Sequence, residues 1–249
     1  MWSISELKMR GKAAMKANYL ASVLVAVVLG AVTRGNLGVT VRTTSETVGR
    51  ASDLESLRMT LLNHPEIAAA AAVALSGATL CSTLMKLLLF NPLQVGCQNF
   101  YIRNSMGVGR PEDMKEGFRH WGDKVFTMFL KDLFLFLWAL LFIIPGIIKG
   151  YSYMMVPYIL AEDPTVSGTE AIRRSREMMR GQKWNAFLLD LSFLGWDLLA
   201  VLTCGILWIF YVNPYRNCTR AELYQRLKSA YQQNIWQQQN NTWQQQSWQ

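Results

Sequence analysis

Phe129-Leu130-Lys131-Asp132-Leu133 is followed by Trp138, and Phe187-Leu188-Leu189-Asp190-Leu191 is followed by Trp196. The offset is 58 residues for the Phe, the Asp and the Trp alike. A Pro-Tyr pair trails each copy, at Pro157-Tyr158 and Pro214-Tyr215. Spacing kept in this way through apolar sequence predicts a repeated helical hairpin, at residues 129–160 and 187–217. Each copy carries an acid where hydrocarbon is expected. Two copies running in the same direction need an even number of crossings per unit, so the repeat constrains topology as well as fold.

The apolar residues come in blocks. Hydrophobic residues make up 51% of the chain and charged residues 17%, below the roughly 25% of ordinary soluble domains. Residues 125–160 are interrupted mainly by Lys131, Asp132, Lys149 and Pro145-Gly146. That block lacks the polar face of a soluble amphipathic helix. A bilayer span needs about 20 apolar residues, so the block can cross twice if it turns at Pro145-Gly146. The expected fold class is therefore all-α: a polytopic membrane protein with about six transmembrane helices in three hairpins. The spans fall at about 19–32 and 67–90, 125–144 and 147–160, and 184–203 and 206–215. Residues 1–231 form one helical membrane domain.

Residues 33–66 are the expected external loop, rich in Ser, Thr and Gly at first and helix-like over 52–63. Residues 232–249 are a Gln/Asn run with Trp236, Trp243 and Trp248, which cannot bury a core and is expected to be disordered. Residues 1–18 are basic and 19–32 apolar, but Ala31-Val32-Thr33 is a weak cleavage site, so the segment reads as a retained first span. Asn91-Pro92, Val156-Pro157 and Asn213-Pro214 each fall late in a returning span and are read as kinks.

Basic residues flank the spans unevenly. Lys8, Arg10, Lys12 and Lys16, the cluster from Arg103 to Lys124, Arg173 to Lys183, and Arg216 to Lys228 fall on one side. Arg34, Arg42, Arg50, Arg58 and Lys149 fall on the other. The bias puts both termini in the cytoplasm. Basic segments precede the outgoing spans. In 167–180, Ser167 with Glu170 matches a capping box and Gly181 a helix stop. Ile172, Met178 and Met179 share one face there. Arg173, Arg176 and Arg180, followed by Lys183, are candidate lipid-headgroup contacts. An orienting anchor explains the same pattern.

The Gly11-Lys12-Ala13-Ala14-Met15-Lys16-Ala17-Asn18-Tyr19 start resembles a bacterial membrane-protein family, the domain of unknown function nine hundred and seventy-five. Asn91-Pro92-Leu93-Gln94-Val95-Gly96, the Ile143 to Lys149 turn, Tyr153 to Glu162 and Ser175 to Gly181 carry the same resemblance, over roughly residues 5–228. It implies an integral membrane fold and a bacterial cytoplasmic membrane, and brings no activity or catalytic residue. A more distant resemblance is to the membrane region of bacterial glycerophosphodiester phosphodiesterases, whose enzyme domain has no counterpart in this sequence.

Asp132, Asp190, Asp197, Lys131, Asn91 and Asn213 are the candidate intramembrane polar site. An aspartate at a span centre costs about 2.5–3.5 kcal/mol on insertion scales, so these acids need a partner, a proton or water. Lys131 and Lys86 are the cations in view. Interfacial acids paired with basic helices account for the same residues. The four cysteines have no metal spacing and read as packing residues. No phosphate-binding Gly loop, zinc-protease motif or nucleophile elbow occurs, and no cofactor is implied. The basic pI of about 9.4 comes from membrane-flanking residues, so membrane lipids, a protein partner or a second copy are expected rather than nucleic acid. Three functions remain in view: a non-enzymatic accessory or scaffold protein, a small transporter or lipid translocase using the embedded acids, and, third, a membrane enzyme acting on lipid headgroups.

Overall fold

The computed structural model describes residues 2–48, 69, 73, 76, 77, 81, 84–141 and 143–246. The described residues are helical with no strand, so the all-α expectation holds. Ten α-helices carry the argument: α1 (Ile4–Ala17), α2 (Tyr19–Val48), α3 (Asn91–Ser105), α4 (Trp121–Leu141), α5 (Ile143–Ser152), α6 (Val156–Glu162), α7 (Gly168–Met178), α8 (Lys183–Leu191), α9 (Leu194–Leu202) and α10 (Asn213–Gln246). A 3₁₀ segment, Pro111–Phe118, follows α3, and π-helical turns Lys86–Phe90 and Trp208–Val212 precede α3 and α10.

The molecule divides into a polar-surfaced helical body and apolar projections from it. The body core joins Leu7 and Met15 of α1, Phe100 and Tyr101 of α3, Met155, Tyr158 and Leu160 around α6, Ile172 of α7, and Leu223 and Tyr224 of α10. Tyr158 and Tyr224 stack with ring centres 5.4 Å apart. The Tyr224 hydroxyl donates to Glu162 Oε2 at 2.7 Å. Lys124, buried at the start of α4, donates to the Glu116 carbonyl at 2.6 Å. Burial lowers its pKa to about 8 against the pull of Glu116, because a charged ammonium loses hydration there.

α1 meets α2 at a bend of 105°. Two amides and a phenol hold that corner to the body. Asn18 Nδ2 donates to the Gly109 carbonyl at 2.8 Å, Asn104 Nδ2 to the Ala14 carbonyl at 3.0 Å, and the Tyr101 hydroxyl to the Ser22 carbonyl at 3.0 Å. Gly11 lets α1 lie on α10, since a Cβ there would come within 2.7 Å of the Thr219 Cα. The Gly11 to Tyr19 motif is thus the joint between α1, α2 and the body.

Several expectations are corrected. Pro92, Pro157 and Pro214 each stand at the second position of a helix, α3, α6 and α10, and π-helical turns run directly into α3 and α10. Before Pro92 and Pro214 the π turns break the regular ladder where proline lacks its N–H, whereas Pro157 opens α6 after a non-helical turn, where a missing N–H loses no intrahelical bond. Pro145-Gly146 does not form a turn, because both lie in the first turn of α5. The second hairpin does reverse at Cys204-Gly205, where φ is 51° and 85°. The Gln/Asn tail is helical to Gln246. Glutamine is a good helix former, and extending the packed α10 avoids the cost of a new nucleus. The start of the presumed external loop is helical too, since α2 runs on to Val48 with no proline before Pro65 to stop it. The helix-like reading of 52–63 lies outside the described residues.

Among the described residues, one helical stretch, Lys183–Leu202, is long and apolar enough to cross a membrane. A second joins it if Ile4–Ala17 and Tyr19–Thr33 count as one bent span. Charges at Asp123, Lys124, Lys131 and Asp132 interrupt α4.

Candidate functional site

Among the described residues, two apolar projections leave the body beside the predicted acids, and α2 separately exposes Leu20, Leu24 and Val27. In the first, α5 folds back along α4, and Phe136, Leu137, Leu140, Leu141, Ile144 and Ile147 are exposed. In the second, α9 and the π turn after it expose Leu198, Val201, Leu202, Ile206 and Phe210. Leu140 and Leu202 are 76% and 79% exposed. A soluble monomer rarely leaves apolar patches this continuous uncovered.

The sequence-predicted acids stand where these projections join the body, and each meets a cation. Asp190, Phe193 and Asp197 share one face, at i, i+3 and i+7. Arg220 clamps Asp190: Nη2 donates to Oδ1 at 2.9 Å and to Oδ2 at 3.0 Å, and Nε to Oδ1 at 3.3 Å. The Tyr151 hydroxyl donates to Oδ2 at 3.2 Å. Burial works against the Arg220 charge, and Asp190 outweighs it, so the guanidinium sits above its ordinary pKa. Arg216 pairs with Asp197. Between the two acids lies the buried Phe193 ring, with Lys8 Nζ 4.6 Å from its centre on one element and Arg216 Cζ 5.2 Å on another. Lys8 also donates to the Ser192 carbonyl at 3.1 Å. The face therefore ties α8–α9 to both α10 and α1.

Asp132 is served by its neighbour, with Lys131 Nζ at 3.2 Å. Asn213 Nδ2 donates to the Ala26 carbonyl at 2.7 Å, and its Oδ1 accepts from Asn217 at 2.9 Å, so it joins α2 to α10. Asn91 is buried at the start of α3. Apart from Lys131 with Asp132, none of the six predicted residues bonds to another, and they form no single polar cavity. Sequence reasoning missed Arg216, Arg220, Lys8 and Tyr151 as the partners. The available signal was the pair Arg216 and Arg220, four apart on one helical face directly after Pro214.

The basic helix α7 also departs from expectation. Ser167 occupies the N-cap position, but its side chain makes no cap bond. Glu170 turns instead to Arg173 (2.7 Å) and Arg174 (2.8 Å). Those two bonds hold the Glu170 pKa down at about 2. Arg173 also meets Glu177 at 2.8 Å, so it is already neutralised. The apolar side of α7 does not lie in lipid. Ala171, Ile172 and Met178 are buried against the body core, because α7 packs against α4, α6 and α10.

Arg176, Arg180 and Lys183 form no ion pair with a described residue. They line a recess of ≈ 410 Å³ with Lys149, Ser152, Gly181 and Trp184. Lys149 was expected on the opposite side from these three. The short α5 returns to the body, and Lys149 folds over the Trp138 ring at 4.5 Å from its centre.

A helical body bearing apolar hairpins with neutralised charges at their bases defines the class. Residues 123–231 match the model of a family described as Protein of unknown function (DUF975). The match runs from the start of α4 into α10, so it contains the paired acids and the basic recess. The resembling motifs at Gly11 to Tyr19 and Asn91 to Gly96 lie before it. No curated protein and no solved structure matches the chain.

Proposed function

We propose that this chain is a multi-pass protein of a bacterial cytoplasmic membrane that acts without catalysis, as a scaffold engaging lipid or a membrane partner through its hairpins. The observation that carries the reading is the neutralisation of Asp132, Asp190 and Asp197 by Lys131, Arg220 and Arg216. A proton carrier must exchange its proton with water during a cycle, whereas Asp190 and Asp197, paired with arginines of α10, tie helices together, and Asp132 is neutralised on its own helix. Exposed leucine, isoleucine and phenylalanine beyond these ties suit hydrocarbon.

The finer version keeps six spans, the 58-residue repeat, and both termini in the cytoplasm. It asks more of the first repeated hairpin. The ten residues of α5 rise about 15 Å, half of a hydrocarbon core of about 30 Å. A full crossing there has to include Tyr153-Met154-Met155 and α6. Lys149 beside Arg176 and Lys183 favours the positive-inside orientation, since it moves the loop-independent exception to the basic side.

Proteoliposomes test the scaffold against the transporter. With a pH gradient and a trapped pH dye, the wild-type chain should leak protons no faster than protein-free vesicles. Asp132→Asn and Asp197→Asn should not change that rate. Gradient-driven flux in the wild type that disappears in either folded variant would move the assignment to transport.

A further inference from the structure

Among the described residues, the recess beneath α5 is built from four cations and no acid. Lys149 comes from α5, Arg176 and Arg180 from the end of α7 and the turn after it, and Lys183 from the start of α8. Elsewhere on α7 the arginines are spent on carboxylates, as at Arg173 and Arg174. Bringing four like charges together without a counter-charge costs free energy unless an anion joins them. Ser152 at the wall adds no donor, since its hydroxyl already donates to the Ile148 carbonyl at 3.0 Å, so the four cations carry the site.

The border of the recess says where the anion comes from. Trp184 lines it and is 67% exposed, and Ile147 and Ile148 are exposed on the same helix as Lys149. Tryptophan beside cations, with open apolar surface next to them, is the side-chain order of a headgroup layer. Arginine forks match phosphate oxygens two at a time, and lysines add compact charge.

We infer that this recess holds the phosphate of an anionic phospholipid, with Arg176, Arg180 and Lys183 as its main ligands and Lys149 closing it from the hairpin side. The inference rests on the lipid-engaging reading above and names the lipid class and the site. Arg173 is not part of it.

The test uses the full chain in mild detergent, titrated with phosphatidylglycerol or phosphatidylcholine and read by native mass spectrometry. Wild type should retain phosphatidylglycerol and discriminate against phosphatidylcholine. Arg176→Gln/Arg180→Gln/Lys183→Gln should weaken phosphatidylglycerol retention about tenfold or more, given roughly a tenfold change for every 1.4 kcal/mol and about 1 kcal/mol per basic residue. Arg173→Gln should retain it as wild type does. Equal retention by the triple variant, or no discrimination by wild type, overturns the site while membrane embedding stands. Displacement of the lipid by millimolar inorganic phosphate overturns the lipid as its source. Release of the chain from membranes by salt alone, without detergent, would remove the membrane reading and this site with it.

Discussion

Asp190→Ala is expected to destabilise the folded chain by about 2–3 kcal/mol, with a matching loss of yield in detergent. The change removes the carboxylate that accepts three bonds from Arg220 and one from Tyr151. Breaking a buried pair costs about 3–5 kcal/mol, mostly because the surviving charge is left without a partner. The lower figure follows from the 23% and 32% exposure of the two side chains, which lets water reach the orphaned guanidinium. Asp190→Leu/Arg220→Met removes both charges and should recover most of the loss, since an apolar pair of similar volume is often neutral or better. Thermal unfolding of the wild type and the two variants in one detergent checks it. A double variant as unstable as Asp190→Ala would mean that one of the two groups has a further task.

Gly96→Val should prevent folding altogether. Gly96 sits in α3 where the 3₁₀ segment Pro111–Phe118 crosses it, and even a Cβ would stand 2.0 Å from the Met114 carbonyl oxygen. The obstacle is backbone, so no side chain can turn aside. The segment would have to lift from α3, breaking the ion pair of Arg103 with Asp113 and the bond from Asn99 Nδ2 to the Asp113 carbonyl at 3.5 Å. Overpacking a core costs about 1–3 kcal/mol when side chains can adjust and more when they cannot. The measurement is monodispersity on gel filtration, where the variant should elute as aggregate. A monodisperse variant with wild-type melting would contradict the α3 crossing.

How much of this was legible depends on the range of the interaction. Helical class was readable because apolar blocks and basic flanks are local patterns. Asp132, Asp190 and Asp197 stood out because an acid inside such a block is locally anomalous. Their partners were not readable, since Arg220 lies 30 residues from Asp190 and nothing local links them. Pro157 was read as a kink inside a span, because proline late in an apolar run has the same sequence signature as proline opening the next helix. The tail was misread from its composition: Gln-rich sequence has no core of its own, but α10 supplies the helix it extends. Lys149 was expected apart from Arg176 and Lys183, because a lysine beyond a presumed turn counts as a loop residue until the hairpin is known to be short.

Spin-label depth measurements test the central claim most directly. With the native cysteines replaced, nitroxides at Leu137→Cys and Leu198→Cys, one on each hairpin, are compared with one at Gln237→Cys on the exposed end of α10. In lipid vesicles the two hairpin labels should relax strongly with oxygen and weakly with a water-soluble nickel chelate, and the α10 label should do the reverse. Hairpin labels as accessible to the chelate as Gln237→Cys would contradict the account.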